Sequence, residues 1–104
     1  MYIAMNRFKV KRGAEAEFED IWRNRQRNLP EMDGFIEFKL LRGPENSEEG
    51  YTLFASHTIW ASEESFAAWT RSQQFRDSHR GSGTGKLLVD GHPRFEAFSV
   101  VEGA

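Results

Sequence analysis

The 104-residue chain has no cysteine. Disulfides, thiolate metal sites and cysteine nucleophiles are therefore excluded. It has no run approaching the ~18 apolar residues of a membrane span. The start, Met1-Tyr2-Ile3-Ala4-Met5, passes straight into Asn6-Arg7 without the apolar core of a signal peptide. A soluble cytoplasmic protein is the expectation, with no membrane association. Charge of one sign is also lacking: 14 Lys and Arg oppose 16 Asp and Glu, for a net charge of −2. That balance gives no argument for nucleic acid or an anionic surface as partner. No internal repeat or linker is evident, and the length fits one domain over residues 1–104. What the chain does have is large aromatic groups, nine Phe and three Trp. A chain this short buries only about two thirds of the surface its unfolded form exposes, so subunit association would help it.

Tyr2 to Val10 alternates as a strand does, with Tyr2, Ala4, Asn6, Phe8 and Val10 on one face and Ile3, Met5, Arg7 and Lys9 on the other. Ala14 to about Asn28 reads as a helix, with Ala14, Phe18, Ile21, Trp22 and Arg25 along one stripe. Pro30 stops it. Phe35–Arg42 and Tyr51–Trp60 read as strands, separated by a polar loop from Gly43 to Gly50. Ser62 is a good N-cap for a helix to about Arg71, and Glu63 and Glu64 suit the positive end of its dipole. Ser72 can cap a second short helix ending near His79. A glycine-rich stretch follows, and the last strand lies within Leu87–Val101, with Gly91 and Pro93 marking a bend. The order β-α-β-β-α-(α)-β is a split β-α-β pattern: α+β, an antiparallel sheet with helices on one side. Ile3, Met5 and one parity of the two middle strands would leave the other face apolar. Two such sheets packed face to face would form a dimeric barrel.

Four residues carry candidate chemistry. His79, near a helix end, could present a ring nitrogen to a cleft, and neutral imidazole is a standard axial ligand to haem iron. Taken alone, such a position is more often a surface histidine favoured by the helix dipole. Asn6 is a carboxamide among apolar neighbours and needs partners, because an unsatisfied buried amide costs roughly 1–3 kcal/mol. Either a nearby backbone group satisfies it or it serves a ligand, for which Ala4 beside it leaves room. Trp69, with Phe66 at i−3, is either a packed core indole or a bulky wall against a flat ligand. Arg25 is a charge on an apolar stripe, which fits either a propionate partner or a snorkelling side chain. Gly81-Ser82-Gly83-Thr84-Gly85-Lys86 is not a P-loop, since Arg80 stands where the first glycine belongs and Leu87 where Ser or Thr belongs. His57 and His92 have no metal-ligand spacing with His79.

Asn6-Arg7, Arg25 with Asp33-Gly34-Phe35, Phe38-x-Leu40-Leu41-Arg42 and Trp60-x-Ser62-x-x-x-Phe66-x-x-Trp69, with His79 ten residues after that Trp, occur here in order. In this the chain resembles the antibiotic biosynthesis monooxygenase superfamily over nearly its whole length, and within it the IsdG-type haem-degrading monooxygenases. The resemblance implies a ferredoxin-like protomer in a dimeric α/β barrel, a homodimer with one haem site per subunit. It implies His79 as proximal iron ligand and Asn6 as hydrogen-bond donor to the distal dioxygen-derived ligand. Trp69 would press on and ruffle the porphyrin, and Arg25 would be a distal-side arginine. The implied reaction cleaves haem, which is both substrate and oxygen-activating cofactor, to an open tetrapyrrole and iron. It uses O2 and electrons from a donor or reductase. Two other readings remain open from the residues: a cofactor-free monooxygenase acting on an aromatic or quinol substrate, and a non-catalytic haem-binding dimer.

Overall fold

A computed structural model of the chain describes residues 1–25, 31–73, 75 and 87–104. The elements are β1 (Tyr2–Lys11), α1 (Glu15–Arg23), β2 (Phe35–Asn46), β3 (Tyr51–Trp60), α2 (Glu63–Thr70) and β4 (Arg94–Ser99). The strands form one antiparallel sheet in the order β2-β3-β1-β4. This is the ferredoxin-like α+β arrangement, and it places the first and last strands side by side.

Strand alternation decides which face the helices cover. On β3, Thr52, Phe54, Ser56, Thr58 and Trp60 are all buried, and on β1 so are Ala4 and Val10. The 3.6-residue period of α1 puts Phe18 and Trp22 on one stripe. They pack with Val10 and Phe54 into one core cluster, joined by Phe8, Phe38 and Leu40. A second cluster holds Trp60 and Trp69 with Tyr2, Phe35 and Phe66 around them. Between the two clusters the sheet carries Ala4, Asn6, Ser56 and Thr58, none of them large. That gap in side-chain volume is what leaves space under the helices.

Two element boundaries differ from the sequence reading. α1 stops at Arg23, because Asn24 caps it: the Asn24 side-chain amide donates to the Asp20 carbonyl at 2.9 Å, and its backbone N–H reaches the same oxygen at 3.3 Å. Arg25 thus follows the helix rather than riding on it, and the expected last turn to Asn28 lies outside the described residues. β2 runs on through Gly43 and Pro44 to Asn46, because bulges at Phe35/Glu37 and Arg42/Glu45 take up the irregular positions. A proline is tolerated at such a bulge, where no ladder N–H is required. The hairpin then closes on Asn46, whose side-chain oxygen accepts the Glu49 N–H at 3.0 Å and whose carbonyl accepts the Gly50 N–H at 2.8 Å. β4 lies within the expected Leu87–Val101, starting after the bend at Pro93 and running six residues.

The far face of the sheet carries Ile3 and Met5 opposite Ile59 and His57, with Leu41 opposite Ala55 and Phe98 opposite Ile3. Phe98 is 51% and Leu41 41% exposed. This apolar face is crossed by charged groups, among them the Arg7–Glu96 ion pair and Lys39 beside Glu37.

Candidate functional site

A cavity of about 320 Å³ opens between the helices and the sheet. Its floor is the stretch of small and polar residues just described: Ala4, Asn6, Ser56 and Thr58. Its walls are aromatic. Trp22 comes from α1 and Phe38 from β2, stacked on each other with ring centres 5.7 Å apart and planes 15° apart. Phe66 and Trp69 come from α2, and Phe95 from β4 stacks on Phe66 at 5.9 Å.

α2 begins where the sequence reading expects it. The Ser62 hydroxyl oxygen accepts the Ser65 N–H at 3.1 Å, and Glu63 and Glu64 occupy the first turn. That start, directly after Trp60, brings Trp69 back over the sheet. Trp69 is 7% exposed, 5.6 Å from the Trp60 ring and 4.7 Å from Phe75, which meets it edge-on. The turn after α2 is tied by Ser72, whose hydroxyl donates to the Trp69 carbonyl at 2.6 Å while its oxygen accepts the Phe75 N–H at 3.1 Å. Trp69 is therefore a core indole that also lines the cavity.

Asn6 also reaches this cavity. Its register partners are Ser56 on β3 and Phe95 on β4. Its carboxamide makes no hydrogen bond among the described residues. The neighbouring hydroxyls Thr58 and Thr70 are already engaged, donating to the Ala4 carbonyl at 3.2 Å and the Ala67 carbonyl at 2.7 Å. Arg25 stands behind the cavity wall rather than in it, with its guanidinium carbon 4.9 Å from the centre of the Trp22 ring. Burial lowers the pKa of this guanidinium from its ordinary value, although an arginine remains protonated at any physiological pH. His79 lies outside the described residues. Among those described, no group of three or more His, Asp and Glu is placed to hold a metal ion.

The sequence reading did not name Ser56, Phe75 or Phe95 as site residues, and gave Phe38 only within a family motif. Ser56 shares parity with Trp60 along β3, so the alternation that placed Asn6 on the helix face would have placed it too. A second groove of about 410 Å³ runs between α1 and β2, past Glu19, Arg23 and Arg42. Its charges are spent on one another, Glu19 meeting Arg42 at 3.0 Å and Arg23 at 3.2 Å. The cavity above Asn6 is the better candidate site.

Residues 1–81 match the family model for antibiotic biosynthesis monooxygenases. The chain belongs to this family. It is 29% identical over 83 residues to a heme oxygenase (staphylobilin-producing) of Staphylococcus saprophyticus, over 78% of this chain and 75% of that protein. Among solved structures, it is similar to the heme-degrader MhuD of Mycobacterium tuberculosis, a structure with two hemes bound in its active site. The TM-score is 0.74 and the identity 26%, over 100% of this chain and 99% of that one. SnoaB, a cofactor-independent oxygenase from Streptomyces nogalater, shares the fold with a TM-score of 0.70 and 20% identity, over 97% of this chain and 93% of that one. The fold is thus shared by a heme-degrader and a cofactor-independent oxygenase, and does not by itself choose between them.

Proposed function

We propose that this monooxygenase-family protein degrades haem, binding it in the cavity between the helices and the sheet. The observation that carries the reading is the convergence of Asn6 and Trp69 on one cavity, the first on its floor and the second in its wall. The similarity to the staphylococcal heme oxygenase and to MhuD supports it.

The residues present fit a haem. A large flat macrocycle needs apolar walls with few, well-placed polar groups, and ligand cavities run from about 300 Å³ upward. Aromatic rings supply the walls, and the Asn6 carboxamide, with no hydrogen bond among the described residues, supplies a polar group on the floor. Bound haem would supply the redox chemistry with O2 and external electrons; the protein supplies binding, orientation and electrostatics.

His79 would hold the iron through a neutral ring nitrogen. Asn6 would donate a hydrogen bond from its amide to a ligand held in the cavity. Trp69 is held rigid by Trp60 and Phe75, so it can exert a steady steric push on a flat substrate. Arg25, stacked on Trp22, keeps a positive charge near the wall for a carboxylate of the substrate. Pairing of two apolar sheet faces would make the working unit a homodimer, with the single domain spanning residues 1–104 in each copy.

The test is a haemin titration followed by visible absorption, on the wild type and on His79→Ala. A saturable Soret band in the wild type, lost or weakened at least about tenfold in the variant, is expected for an axial ligand. No Soret change in the wild type would overturn the reading and favour a cofactor-free oxygenase. An unchanged spectrum in His79→Ala would remove His79 as the ligand.

A further inference from the structure

The helix-facing side of β3 carries three buried hydroxyl residues, Thr52, Ser56 and Thr58, at 0, 6 and 8% exposure. Buried hydroxyls in folded proteins have hydrogen-bond partners as a rule. Thr52 donates to the Glu15 carboxylate at 2.8 Å, and Thr58 donates to the Ala4 carbonyl at 3.2 Å. The Ser56 hydroxyl makes no hydrogen bond among the described residues, and Ser56 lines the cavity.

Ser56 is the direct partner of Asn6 in the β1–β3 register. Directly opposed residues of antiparallel strands hold their Cβ atoms about 4.5–5.5 Å apart. The hydroxyl and the carboxamide therefore form one two-group polar spot on a floor otherwise made of Ala4 and the spent Thr58. An alanine would fit the same strand position, and the Ser56 oxygen is not among the sealed, unpartnered polar atoms of the described residues, so it is open to the cavity. What distinguishes serine there is what it offers an occupant.

We infer that Ser56 is a second hydrogen-bonding residue of the cavity, acting beside Asn6 on the small polar ligand that the bound haem takes up, and so setting the affinity for such ligands. The inference rests on haem being the occupant. Ser56 both donates and accepts, whereas the Asn6 amide nitrogen only donates, so the pair can hold a ligand through either kind of bond.

The test compares wild type, Ser56→Ala and Ser56→Thr in two measurements: thermal melting without haem, and fluoride titration of the ferric haem complex. Without haem, Ser56→Ala is expected to melt at or above the wild-type temperature, because no internal hydrogen bond is lost. In the ferric complex, haemin affinity is expected to stay unchanged while fluoride binds about three- to tenfold more weakly, the range of one net hydrogen bond. Ser56→Thr, which keeps the hydroxyl, is expected to stay within about twofold of wild type. A Ser56→Ala protein that melts several degrees lower would show that the hydroxyl is used inside the fold, and would overturn the inference. Unchanged fluoride affinity with intact haemin binding would overturn it as well, and would leave the haem reading standing. Failure of the wild type to bind haemin would instead refute the haem reading and this inference with it.

Discussion

Gly34, at the entry to β2, is the position where the smallest substitution is expected to cost most. It has a φ of +82°, a region in which a side chain costs roughly 1–2 kcal/mol. A Cβ placed there would also lie 2.5 Å from the Ser65 Cβ and 2.2 Å from its oxygen, closer than real atoms approach. Neither part can yield freely, because the Gly34 carbonyl accepts the Ala61 N–H at 2.7 Å and the Ser65 N–H is bound by the Ser62 cap. Forced overpacking of this kind costs about 1–3 kcal/mol. Gly34→Ala is thus expected to lose roughly 2–5 kcal/mol, a large share of the ~5–15 kcal/mol of a typical domain. Denaturant unfolding measures it, and a double-mutant cycle separates the two contributions. Adding Ser65→Gly to Gly34→Ala removes the clash and is expected to recover the steric share while the φ share remains. A Gly34→Ala protein within about 0.5 kcal/mol of wild type, the usual range for an uneventful surface change, would refute the reasoning. Because Ser65 lies in the first turn of the helix that carries Trp69, the same variant is expected to bind haem less well even where it stays folded.

Asn6→Ala is expected to keep haem binding and lose at least about tenfold in turnover, measured as Soret decay under reducing conditions; equal rates would remove its role as donor. Trp69→Phe keeps an aromatic wall but gives up indole bulk. It is expected to bind haem and degrade it more slowly, and full activity in that variant would sink the steric push. The Glu15 carboxyl is held below the usual carboxylate pKa, first by the Thr52 hydroxyl and also by the Gly13 N–H. A carboxylate depressed in the folded state stabilises it fully at neutral pH and loses that contribution as pH falls through the ordinary carboxylate range to the depressed value. Melting temperature against pH is therefore expected to fall less steeply on the acid side in Glu15→Gln, and parallel curves would contradict this. Phe98→Glu puts a charge on the exposed apolar sheet face. It is expected to shift sedimentation from dimer to monomer, and a wild type already monomeric at micromolar concentration would dispose of the barrel.

Strand alternation made much of this legible beforehand. The even positions of β1 and the Phe-x-x-Trp spacing of α2 placed Asn6 and Trp69 on the side the helices cover, and the structure brings them to one cavity. The N-cap at Ser62 was readable because its partner is three residues away in the chain. The early end of α1 was not, because Asn24 caps through Asp20, and an asparagine in a helical pattern looks like any other polar position until its bonds are known. Arg25 was accordingly placed on the helix, whereas it follows the helix and stacks on Trp22. The continuation of β2 past Gly43 depended on a bulge, which alternation alone does not announce. Ser56 escaped because parity shows which face a hydroxyl takes, not whether another strand or helix has already claimed it. That required the register with Asn6 and the separate fates of Thr52 and Thr58.

The most direct test of the haem reading follows the haem complex in air after adding ascorbate as electron donor and catalase to remove free peroxide. The account predicts a Soret band that decays over successive turnovers, with an open tetrapyrrole formed and iron released to a chelator. A Soret band that stays intact with reductant and O2 present would contradict it, and would leave a haem-binding protein in place of a haem-degrading one.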